Sequence, residues 1–137
     1  MKAFKKYFDY VSLQNYIPLY AITTSNKTTV LITERDIQNF TEEHSKVKII
    51  NHISFFMIRK IERRQNHILI NVDTTKAKKG YYNESNENNQ FIFEFETNDA
   101  SNFIIYLNRA LYRILTTEEL DAIAINEYQD LTSSSPI

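Results

Sequence analysis

The sequence predicts an α+β domain of about seven antiparallel strands capped by a C-terminal helix, with short extra helices at both ends. Two observations carry this. The first is the stretch Gln90 to Leu115, QFIFEFETNDASNFIIYLNRALYRIL, in which a strand turns straight into a helix. Phe91, Phe93 and Phe95 alternate with Ile92, Glu94 and Glu96, the two-residue period of a half-buried strand. The period then changes: Phe103, Leu107, Ala110, Leu111 and Ile114 form one apolar helical stripe, which needs a sheet to cover. The second observation is the preceding sequence, a run of short apolar segments punctuated by polar turns, with no internal repeat.

Taken in order, residues 1–15 read as an N-terminal amphipathic helix. Phe4, Tyr7, Phe8 and Val11 share one face and Lys2, Lys5, Lys6 and Asp9 lie elsewhere. It either packs on the domain or lies in a membrane interface, where Lys flanking an aromatic face is favourable. Tyr16 to Thr24 and Thr28 to Thr33 read as strands around the turn Ser25-Asn26-Lys27. Ile37 to Phe40 and Lys46 to Ile50 follow. Ser54 to Ile61 is apolar on both faces, as in a strand covered on each side. His67 to Val72 alternates cleanly, with Ile68, Ile70 and Val72 inward. Asp73 to Asn89 is long, polar and Asn-rich, a surface loop with room for a short strand at Tyr81-Tyr82.

Thr97, Asn98 and Asp99 offer N-cap oxygens to the main helix. After it, Thr116-Thr117-Glu118-Glu119 is a capping-box pattern. It is expected to open a second helix from Thr117 to Asp130, with Leu120, Ile123, Ala124 and Tyr128 at helical spacing. The boundaries are thus residues 1–15 for the first helix, 16–115 for the strand-and-helix domain, and 116–137 for a C-terminal helix and polar linker or tail.

Composition excludes several classes. The single glycine, Gly80, argues against phosphate cradles that need several glycines. There is no cysteine, which excludes disulfides, thiol catalysis and Cys-based zinc sites. A net charge of −1 gives no general field for nucleic acid. No apolar run approaches a membrane span, and MKAFKKYF has no signal-peptide core, so a cytoplasmic location is expected.

TTVLITERDIQNF resembles the second and third strands of pleckstrin-homology (PH)-like domains, where an apolar run ending in Thr precedes a charged turn. HISFFMIRKIERRQNHILINVD and FIFEFETNDASNFIIYLNRALYRIL are similar to the N-terminal PH domain of CARMIL proteins, leucine-rich-repeat regulators of actin assembly. The similarity covers roughly residues 16–115 and is a pattern of core positions. It implies a PH-like barrel of two orthogonal sheets with the last helix plugging one corner. It also implies that the chain is the membrane-associating module of a longer cytoskeletal protein. Two departures stand out. The basic signature of many phosphoinositide-binding PH domains is missing from the first hairpin, which offers only Lys27, and the Asp73–Asn89 loop is long for such a domain. Nothing resembles the segments by which CARMIL proteins act on actin-capping protein.

No constellation announces catalysis. His44, His52 and His67 are scattered, without metal-ligand spacing, and read as surface or turn histidines. Glu94 and Glu96 share a strand face and read as a solvated face opposite the Phe stripe, rather than as paired acid and base. Ser133-Ser134-Ser135 lies in a tail, not on a nucleophile elbow.

The remaining signal is basic. Arg59, Lys60, Arg63 and Arg64 cluster at a strand end and turn; Lys76, Lys78 and Lys79 cluster on the long loop; Lys27 sits on the first hairpin. If hairpin loops gather at one open end, these groups converge on acidic phospholipid, each worth on the order of 1 kcal/mol. The plainer alternative is a solvated charged turn, since Glu62 sits beside Arg63. The expected function is a non-enzymatic module, without cofactor or metal, held peripherally at the inner face of a membrane. The alternative is a protein-interaction adaptor of the same fold, taking a peptide beside the last helix or on a strand edge.

Overall fold

The computed structural model describes residues 4–76 and 90–128. Helix α1 (Lys5–Leu13) leads into β1 (Pro18–Thr23), β2 (Thr29–Thr33), β3 (Asp36–Glu43) and β4 (Lys46–Ser54), an antiparallel meander in the order β1-β2-β3-β4. A second sheet holds β5 (Ile58–Arg64), β6 (His67–Asp73) and β7 (Gln90–Glu96), also antiparallel. Helix α2 (Ala100–Ile114) follows β7, then α3 (Thr117–Asp121) and β8 (Ala124–Tyr128). The domain is α+β with helices towards both ends. Among the described residues no strand of one sheet pairs with a strand of the other, so the two sheets stay open where a closed barrel was expected.

The main core lies between the sheets and under α2. Val30, Ile32, Ile37 and Ile53 come from the first sheet, and Ile61, Ile68, Ile70, Phe93 and Phe95 from the second. Phe103, Leu107, Ala110 and Leu111 descend from α2, which packs on β1 and β2. Ring edges add specificity here: Phe95 meets Phe103 edge-on with centroids 5.3 Å apart. A second, smaller core lies on the outer face of the first sheet, where Tyr7 and Val11 of α1 cover Ala21, Leu31 and Phe40. Every residue of β2 is therefore buried. Tyr7 and Val11 on the apolar face of α1 thus pack on this sheet, as the first of the two readings expects.

Four expectations are corrected. The run Phe55–Met57 is a 3-10 turn rather than part of a strand, capped by the Ser54 hydroxyl, which accepts from the Phe56 amide at 3.2 Å. Its apolar residues are contiguous because the chain crosses there from one sheet to the other through the core. Phe91 is 40% exposed, unlike Phe93 and Phe95 at 7% each, because it sits at the open start of β7. Asp99 is the N-cap residue of α2, but its side chain caps no helix amide. Its carboxylate instead accepts from the Tyr20 hydroxyl and from Asn102 Nδ2 at 3.1 Å.

The fourth correction concerns the helix expected from Thr117 to Asp130. The capping box forms as read, with Thr116 Oγ1 accepting from the Glu119 amide at 3.1 Å and Glu119 Oε1 accepting from the Thr116 amide at 2.8 Å. The helix stops at Asp121 all the same. The chain then runs parallel to β5, from Lys60 opposite Ala124 to Arg64 opposite Tyr128. The free edge of β5 offers backbone partners that outweigh weak helix propensity in AIAINEY. Of the loop expected over Asp73–Asn89, residues 77–89, including Tyr81-Tyr82, lie outside the described residues, as does the tail from 129 onwards.

Candidate functional site

The end of the molecule expected to carry the basic patch is built from hairpin turns. The β1–β2 turn is tight: the Thr24 amide donates to Thr28 O at 2.9 Å, and the Lys27 amide to Thr24 O at 2.9 Å. Lys27 has φ 69°, a left-handed conformation that costs a residue with a Cβ roughly 1 kcal/mol. The β5–β6 turn holds Gln65 at φ 54°, and Arg63 Nε donates to Gln65 O at 2.6 Å.

These two turns meet at the start of the β7–α2 connection. The Thr97 amide donates to Asn66 O at 3.0 Å, and its hydroxyl to Thr23 O at 2.9 Å. Next to it the Ser25 amide donates to Glu96 O at 2.8 Å. A cleft of about 600 Å³ opens there between Phe4, Thr23, Ser25, Asn66, Glu96 and Asp99. Among the described residues its walls carry carboxylates, amides and hydroxyls but no Lys or Arg.

The expected basic residues divide. The turns carrying Lys27, Arg63 and Arg64 are brought to this one end. Arg59 and Lys60 are not: Arg59 sits in a bulge between Ile58 and Lys60, five residues along β5 from Arg64, or about 16 Å at the rise of a strand. Lys60 also pairs with Glu62 at 3.5 Å. Lys76 closes the short 3-10 turn Thr74–Lys76 beyond the far end of β6, and its side chain lies outside the described residues, as do Lys78 and Lys79 altogether. The outer face of the second sheet is mixed in sign. Glu94 and Glu96 are exposed there, as the solvated-face reading expects, and Glu94 lies 3.9 Å from His67.

Sequence reasoning overlooked the third hairpin at this end. The last β2 residue facing β3 is Thr29, opposite Phe40. Thr41, Glu42 and Glu43 of β3 continue past it, paired with Lys48, Val47 and Lys46. The β3–β4 ladder therefore continues about 10 Å past Thr29. Its signal in the sequence was a polar turn followed by Lys46 and Lys48, both on β4.

A second overlooked cluster fastens the α1–β1 connection. Asp36 is 2% exposed on β3. Its carboxylate accepts from Thr33 Oγ1 at 2.5 Å, Gln38 Nε2 at 3.2 Å and His52 Nε2 at 2.5 Å. The bond to Asp36 raises the His52 pKa above its ordinary 6.5, against an opposing effect of burial. Tyr16 meets the His52 ring edge-on at 6.1 Å, and the Arg35 guanidinium lies 4.2 Å over Tyr16. Arg35 also donates to Asn15 O at 3.1 Å. The arrangement resembles a catalytic triad only in composition. The Thr33 hydroxyl and His52 both bind the carboxylate, not each other, so no hydroxyl is activated by a base. Elsewhere Tyr20 stacks on Tyr106 at 4.2 Å and donates to Asp99; burial first, and that bond second, push its pKa up to about 12. Among the described residues no group of three or more His, Asp or Glu is disposed to hold a metal ion, and no helix is long and apolar enough to cross a membrane.

No protein-family model matches this chain, and no curated protein matches it.

Proposed function

We propose that this chain is a non-enzymatic PH-like module that associates with acidic phospholipid membranes, as part of a larger cytoskeletal or membrane-proximal protein at the cytoplasmic face. Two consecutive antiparallel meanders followed by a helix on the core are the element order such a frame needs, and the similarity to CARMIL-type PH domains supports the wider setting. The observation that carries the membrane reading is the meeting of two hairpin turns at Thr97, which gathers the Lys27, Arg63 and Arg64 positions at one end. Three such charges contribute about 3 kcal/mol at an anionic surface, which by itself gives millimolar binding. The cleft beside these turns carries Glu96 and Asp99 and, among the described residues, no Lys or Arg, which supports binding that is diffuse and salt-sensitive rather than selective for one phosphoinositide.

Co-sedimentation with phosphatidylserine-containing vesicles at two salt concentrations tests this. Arg63→Glu with Arg64→Glu should reduce binding sharply while the circular dichroism spectrum is retained, and phosphatidylcholine vesicles should bind poorly. Equal binding of the reversed variant and wild type at low salt eliminates this end as the lipid site.

A protein-interaction adaptor on the same frame is the second reading. The observation favouring it is a cleft of about 270 Å³ between β7 and the β1–β2 turn, with Phe91 exposed on one wall and Asn39 and Asn51 on the other. Pull-down with the isolated chain tests it, and retention of no protein would remove it.

A further inference from the structure

Among the described residues, β1 and β4 are the edges of the first sheet and β7 is one edge of the second. An unpaired edge is a template for another chain, and proteins blunt it with proline, lysine or a bulge. Strand β1 opens with Pro18 and is bulged between Pro18 and Tyr20. Strand β4 carries Lys46 and Lys48 and a bulge that leaves Ile50 outside the β3 register. Strand β7 has none of these devices, and its seven residues run in unbroken register with β6. The Thr97 amide turns to Asn66 O on the β6 side, while Glu96 O turns the other way and accepts from the Ser25 amide. By the alternation of a strand, the backbone groups of Glu94 and Ile92 also turn away from β6. A cleft of about 270 Å³ opens beside them, with Thr28, Asn39 and Asn51 on its far wall.

The β4 and β7 edges are complementary. Each exposes two adjacent large apolar side chains, Ile49 and Ile50 on β4 and Phe91 and Ile92 on β7. Their charges are opposite: β4 begins Lys46-Val47-Lys48 and β7 ends Glu94-Phe95-Glu96, with all four charged residues exposed. Run antiparallel in one register, the strands set Glu96 opposite Lys46, Glu94 opposite Lys48 and Ile92 opposite Ile50. Opposite charges facing each other across a strand pair attract, whereas two copies of β4, or two of β7, bring together strands of like charge. Lys48 pairs with Glu43 at 3.2 Å and Glu94 lies 3.9 Å from His67, but these are contacts between exposed side chains and cost little to exchange. Within one molecule β4 and β7 belong to different sheets and do not pair.

We infer that the β4 edge of one copy pairs antiparallel with the β7 edge of a second copy, so that this chain associates with itself head to tail. The inference goes beyond both readings of function and rests on neither. The two edges are different surfaces, so the contact is heterologous: each copy brings one β4 edge and one β7 edge, and growth continues until a ring closes. A single strand pair buries little area compared with a stable dimer interface, so the association is weak and depends on local concentration.

Static light scattering and analytical ultracentrifugation of the full chain at low salt, over a wide range of protein concentration, test this. The average mass of wild type should rise with concentration. Glu94→Lys and Lys48→Glu should each weaken association about tenfold, since each sets like charges opposite one another. The chain carrying both changes restores opposite charges and should associate as wild type does. Arg113→Glu, exposed on α2 and away from both edges, should leave association unchanged. Glu94 and Lys48 are both more than half exposed, at 53% and 60% of their side chains, and retained circular dichroism spectra confirm folding. Wild type that stays monomeric at every concentration overturns the inference. Lys48→Glu that associates as wild type does also overturns it, and so does a doubly changed chain that stays as weak as the single variants.

Discussion

Leu107 is the position where covering of the core by α2 can be tested most directly. It is 0% exposed, in the middle of the helix, between Phe103 and Leu111 on the stripe facing β1 and β2. Leu107→Ala removes three carbon groups, about 2.4 kcal/mol of transfer free energy at ~0.8 kcal/mol each. The hole they leave, on the order of 80 Å³ before relaxation, adds about 2 kcal/mol at ~24 cal/mol per Å³. The sum is about 4 kcal/mol, inside the range for buried Leu-to-Ala changes. For a chain of this size that lowers Tm by about 10–15 °C. Ile105 is the internal control: it sits on the same helix but is 45% exposed, so Ile105→Ala should cost under about 1 kcal/mol. Urea unfolding of wild type and both variants, followed by circular dichroism, gives the comparison. Equal midpoints for the two variants would refute the reasoning, because the helix would then have no buried side.

The remaining predictions concern a proton and a connection. His52 has a raised pKa in the folded protein, so the stability it contributes is complete below about 6.5 and is lost as pH rises through the higher folded value. Urea midpoints between pH 5.5 and pH 8.5 should therefore fall further for wild type than for His52→Gln; parallel curves would mean that the Asp36 contact does not favour the protonated ring. The effect should be modest, since the side chain is 49% exposed. Replacing residues 77–89 with a short Gly-Ser connection should leave the cooperative melt intact, because Asp73 and Gln90 already lie opposite each other and little closure entropy changes with length. Loss of cooperativity would show that the replaced residues contribute to the core.

Much of the fold was legible in the residues. The stripe on α2 was readable because a helix facing one sheet repeats every 3.6 residues, and Phe103, Leu107, Ala110 and Leu111 are all buried. His67 to Val72 alternates because one face of β6 meets the core and the other meets solvent, as its burial shows. The capping box was readable because its two hydrogen bonds are local. The candidate site was less legible. Arg63 and Arg64 were found as neighbours in sequence, but a cluster in sequence spreads along a strand, which is why Arg59 lies far from Arg64.

What the sequence determined by itself is the set of elements whose partner is a generic apolar surface or a nearby backbone group: the meander strands, α2 with its buried stripe, the cap of α3, and the lack of glycine and cysteine chemistry. Tertiary structure alone decided the rest, because those features depend on partners far away in the chain. Residues 124–128 become β8 because β5 has an open edge. Asp36 is a buried carboxylate because Gln38 on its own strand and Thr33 and His52 on the two neighbouring strands reach it. Asp99 gives up its helix cap because Tyr20, on β1, takes the oxygen. The β3–β4 ladder runs three residues past the end of β2 because the register of β2 on β3 sets Thr29 opposite Phe40. Periodicity reports the face a side chain turns to, and it is blind to which distant group waits there.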